Sequence, residues 1–72
     1  MTTYEIIAWD LEKHKPIKEF CQEHEDLEEA VKAYQHLFHL IDLSKTYLEL
    51  NKDEDGKGEV LLSTHPHIEQ IL

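Results

Sequence analysis

Only one segment of this chain, Asp26 to Leu43 (DLEEAVKAYQHLFHLIDL), is long and periodic enough to form a helix that could cover a sheet. Leu27, Ala30, Val31, Tyr34, Phe38 and Ile41 recur at three- and four-residue intervals. At about 100° per residue they make a single apolar stripe, with Leu37 at its edge. Asp26 suits the N-cap, because its carboxylate can accept a free backbone N–H of the first turn. Glu29, three residues later, completes a capping-box pattern. Glu23, Glu25, Glu28 and Glu29 crowd the positive end of the helix dipole, which accounts for that cluster as helix-start chemistry.

The opposite helical face is less ordinary. His36, Leu40 and Leu43 fall together there, with Ala33 and His39 close by. A helix lying on a sheet needs one apolar stripe, so something is expected to cover Leu40 and Leu43: the C-terminal tail, a second copy or a partner.

The flanking segments read as strands. Thr3–Leu11 (TYEIIAWDL) is rich in β-branched and aromatic residues, with Tyr4, Ile6 and Ala8 on one face and Ile7, Trp9 and Leu11 on the other. Trp9 is expected to bury its ring against the helix or the tail; the competing reading turns it outward into a contact surface. Residues 12–16 (EKHKP) form a polar turn, and Ile17–Gln22 (IKEFCQ) reads as a short edge strand that Pro16 can open. Thr46–Asn51 and Glu59–Thr64 make a second antiparallel pair, joined by the loop KDEDGKG. The last eight residues, HPHIEQIL, carry Pro66 at the start of a possible helical turn and Ile68, Ile71 and Leu72 on one side. The expected architecture is therefore one α+β domain, residues 1–72. It has a four-stranded antiparallel sheet in β-β-α-β-β order, one amphipathic helix on one face and a short C-terminal tail or helical turn.

Charge and chemistry then narrow the function classes. Sixteen acidic residues stand against seven basic ones, all lysine, for a formal charge of −9 with the six histidines neutral. That argues against direct nucleic-acid binding, which needs cations on phosphates and favours the planar fork of Arg. No apolar run approaches a membrane span, no signal-peptide pattern opens the chain, and Cys21 is the single cysteine, so a cytoplasmic location is expected.

His36 and His39 could reach one metal, with His65 and His67 added if the tail folds back, but the pattern lacks ligand-spaced cysteine and no metal is expected. Asn51, Asp53, Asp55 and Gly56 echo half of a calcium loop, yet position twelve is Leu62, so this reads as an acidic turn. No phosphate loop, nucleophile elbow or zinc-protease motif is present, and neither catalytic residues nor cofactors are expected. The sequence thus points to a small acidic, non-catalytic protein-binding or inhibitory factor, of phage or mobile-element type. Such a factor offers an acidic and apolar surface to a basic partner such as a nucleic-acid-binding protein. The candidate contact residues are His36, Leu40, Leu43, Trp9, Glu28 and Glu29. The alternative is a self-associating, dimeric structural domain without a ligand.

Overall fold

A computed structural model describes residues 1–64 of the chain. The expected tail (Pro66, Ile68, Ile71, Leu72) and the histidines His65 and His67 lie outside the described residues.

The alternation in the first segment becomes strand β1, Thr2–Asp10, and residues 46–54 become β4, Thr46–Glu54. These two long strands pair antiparallel along their whole length, Thr2 opposite Glu54 and Asp10 opposite Thr46. Two-residue periodicity then sorts their side chains. Ile6 and Ala8 of β1 lie opposite Leu50 and Leu48 of β4, and all four are fully buried. The helix α1, Leu27–Leu40, packs on this face and adds Ala30, Tyr34 and Leu37 to the core. Burial pushes the Tyr34 phenol above its usual pKa.

The architecture is α+β with one helix and an antiparallel sheet, as expected, but among the described residues the sheet has five strands, not four. The expected strand Ile17–Gln22 does not form. Two short strands, β2 (Lys15–Pro16) and β3 (Gln22–His24), both pair with β1 on the edge away from β4. Trp9 faces Pro16 and Ile6 faces Gln22. β1 therefore has only Ile7 and Ala8 between those pairs, where the opposing chain has residues 17–21. The three surplus residues are taken up by a 3-10 turn, Lys18–Phe20.

The physical reason lies in Ile17 and Phe20. In an extended strand their side chains would point to opposite faces, whereas a three-residue turn aligns them, and both pack against the core. The Ile17 N–H still reaches the Ala8 carbonyl at 2.7 Å, and the Phe20 N–H donates to the Ile17 carbonyl at 3.0 Å.

The helix is shorter than expected. Asp26 caps it by accepting the Glu28 N–H at 3.4 Å, but the helix ends at Leu40 and Ile41 is extended. Asp42 explains the stop: its carboxylate accepts from the Ser44 N–H at 3.0 Å and hydroxyl at 2.6 Å, a local turn that competes with another helical turn. Those bonds hold the Asp42 carboxyl below its usual pKa. The inner stripe is also rotated from the expected one. Leu37 is buried, whereas Phe38 and Leu27 are 40% and 43% exposed.

The final strand β5, Lys57–Ser63, pairs with β4 through a two-residue turn, Asp55–Gly56, far tighter than the expected seven-residue loop. Asp55 and Gly56 both have positive φ, 52° and 83°, as the favoured hairpin turn demands. A Cβ on Gly56 would meet nothing within 4 Å, so Gly56→Ala tests backbone conformation alone. It is expected to lower unfolding stability by roughly 1–2 kcal/mol in urea titrations; an unchanged midpoint would contradict the turn assignment.

Candidate functional site: the sheet face away from the helix

Alternation along β1 and β4 that sends Ile6, Ala8, Leu48 and Leu50 to the helix must send their neighbours to the other side. That face carries Glu5, Ile7 and Trp9 from β1, and Tyr47, Glu49, Asn51 and Asp53 from β4. The Trp9 ring stacks on Tyr47 with centroids 6.0 Å apart and planes at 13°. The expectation that Trp9 packs against the helix is therefore corrected. An odd-numbered β1 position lies across the sheet from α1, and the large ring finds its partner on the neighbouring strand instead. The indole Nε1–H is buried and meets no acceptor among the described residues. Burial, with the Glu49 carboxylate as a second cause, raises the Tyr47 phenol pKa.

The excursion of residues 17–21 opens the sheet beside Trp9. Between the 3-10 turn and β1 lies an open cleft of about 440 Å³, with Ile7, Trp9, Pro16 and Cys21 on its walls. Glu5, Glu23 and Lys18 line it as well. The Cys21 thiol is half-buried and donates to the Ile17 carbonyl at 3.4 Å.

Charge is distributed unequally between the two faces. On the helix side every strand lysine stands opposite an acid: Lys15 faces Asp10, Lys52 faces Glu59, and Lys57 faces Glu54. On the open side the strands carry no lysine. Glu5 stands directly opposite Glu23, Glu49 opposite Ile7, and Asp53 opposite Thr3 and Gly58. Like charges directly opposite in a ladder are mildly destabilising, by tenths of a kcal/mol.

The residues expected from sequence to form one contact surface are not brought together. Glu28 and Glu29 are exposed in the first helical turn, and His36 and Leu40 are exposed farther along α1. Leu43 is exposed beyond the helix end, so the expected stripe of His36, Leu40 and Leu43 is not one helical face. Trp9 is on the far side of the sheet from the helix residues among them. Leu40, at 61% exposure, remains the most open of these apolar groups.

Sequence reading missed Glu5, Glu23 and Glu49. The signal for Glu5 was present in TYEIIAWDL, where it alternates with Ile7 and Trp9. Glu23 joins it only through a register that the three surplus residues conceal. Among the described residues no group of three or more His, Cys, Asp or Glu is arranged to hold a metal ion, and no helix is long and apolar enough to cross a membrane. Comparison with family models, curated proteins and solved structures gives no match.

Proposed function

We propose that this chain is a non-catalytic protein-binding domain that meets a basic partner through the sheet face away from its helix. One observation carries the reading. Four strand carboxylates, Glu5, Glu23, Glu49 and Asp53, share that face without a strand lysine, beside a half-buried aromatic and apolar patch. The helix side, by contrast, mixes both signs in opposed pairs. Aromatic anchors with a charged surround are the usual composition of a recognition surface, and complementary charge steers the partner's approach. An inhibitory role against a nucleic-acid-binding protein fits the same chemistry, since the acidic face then occupies the partner's cationic groove.

The test is capture of a partner on immobilised chain at about 50 mM and about 500 mM NaCl, where the Debye length falls from roughly 14 to 4 Å. The same capture is run with the Leu40→Lys/Leu43→Lys variant. Retention is expected to weaken with salt and to be unaffected by the helix-side variant. Salt-indifferent capture, or capture lost in that variant alone, sinks the reading. The second reading, self-association, is favoured by the exposure of Phe38, Leu40 and Leu43; it predicts a concentration-dependent mass in light scattering that the same variant abolishes.

A further inference from the structure

Resting on that reading, we propose that the cleft between β1 and the Lys18–Phe20 turn is a socket for one bulky apolar side chain of a partner segment. Cationic residues on either side of that anchor lie over Glu5, Glu23 and Glu49. The cleft exists because five residues stand where the ladder needs two, and it is walled by Ile7, Trp9, Pro16 and Cys21. It is open to solvent along one side, and its volume of about 440 Å³ exceeds one aromatic ring, so a bulky side chain can enter from the surface.

Charge decides the occupant. Glu5 and Glu23 are opposed on this face with no strand lysine beside them, so a cation placed between them relieves a repulsion present in the free chain. Lys18, on the cleft wall at the turn, repels a cationic guest from its own side and directs the guest's basic groups toward Glu5 and Glu23.

A second copy is the wrong occupant for this face. A two-fold contact through this face would gather the strand carboxylates of both copies, with no strand lysine among them, between chains of formal charge −9. The chain's own residues 65–72 (HPHIEQIL) contain no lysine or arginine and include Glu69, so they do not supply the matching charge.

Trp9 is the only tryptophan, which makes its emission and indole N–H direct reporters of the cleft. The full chain is titrated with three acetylated, amidated peptides: Lys-Arg-Phe-Arg-Lys, Lys-Arg-Ala-Arg-Lys and Glu-Asp-Phe-Asp-Glu. The first is expected to bind saturably and to move the Trp9 indole and the Ile7, Cys21 and Gln22 amides. The alanine peptide should bind about fivefold or more weakly, and the acidic peptide should leave the signals unmoved.

In Glu5→Gln/Glu23→Gln, which keeps shape and removes the repulsion, affinity for the first peptide should fall about tenfold while the melting temperature holds or rises. Equal binding of the phenylalanine and alanine peptides overturns the socket, and leaves the broader reading standing if partner capture remains salt-sensitive. Binding of the acidic peptide as tightly as the basic one overturns it too. So does acrylamide shielding of Trp9 in the free chain that an Ile68→Lys/Ile71→Lys variant relieves (its own chain in the cleft) or that grows with concentration (a second copy).

Discussion

Leu50→Ala is expected to cost about 2–5 kcal/mol, the range for truncating a fully buried leucine without collapse of the cavity. Leu50 is a demanding site for that change. It is fully buried, pairs with the fully buried Ile6 on one side, and sits on β4, the strand that β1 and β5 both need as a neighbour. At roughly 0.05–0.15 kcal/mol per residue, a chain of 72 residues has only about 4–11 kcal/mol of total stability. The substitution therefore removes a large fraction of it and should lower the melting temperature by roughly 10–30 °C. The control is Leu40→Ala: the same chemistry at 61% exposure should change stability by no more than about 0.5 kcal/mol. Urea titration of both variants checks the pair. Similar costs at the two sites would mean that the core is not organised around the β1–β4 pairing.

The second large effect belongs to the open face. Glu5→Lys/Glu23→Lys replaces two carboxylates by ammonium groups at opposed positions of the β1–β3 pair. The ladder still holds a like-charge pair, so folding is expected to change by less than about 1 kcal/mol. Binding should change far more, because attraction to the partner's cations becomes repulsion at both positions. A loss of about 100-fold or more in affinity is expected, expressed in faster dissociation as well as slower association at low salt. Surface plasmon resonance at two salt concentrations separates these contributions. The Lys pair losing no more than the neutral Gln pair would argue that these side chains stand outside the interface.

What could be read from the sequence follows from how local each cause is. Period-two alternation in TYEIIAWDL and TYLELN is local, and β1, β4 and the α+β class were legible from it. The cap at Asp26 was equally local. The break between β2 and β3 was not, because IKEFCQ has the composition of a strand. Only the core, by accepting Ile17 and Phe20 together, makes the 3-10 turn preferable. The helix end was legible in principle from Asp42 and Ser44, two residues apart, but the apolar Ile41 and Leu43 beside them extended the periodic pattern past the true stop.

The candidate site was the least legible part, for the same reason. Its Glu5–Glu23 opposition is a product of register, and register depends on how many residues the turn absorbs. Trp9 was read first as a core residue and only second as an outward contact, and it was grouped with helix residues that the sheet separates from it.

A partner that docks on the sheet face away from the helix shields the backbone there. Hydrogen exchange of the full chain, free and with its captured partner, tests such docking most directly by mapping where protection appears. Added protection is expected in residues 5–9, at the 16–23 excursion and in residues 47–49, with α1 unchanged. Protection confined to residues 36–43, with β1 and the excursion exchanging as in the free chain, would contradict it.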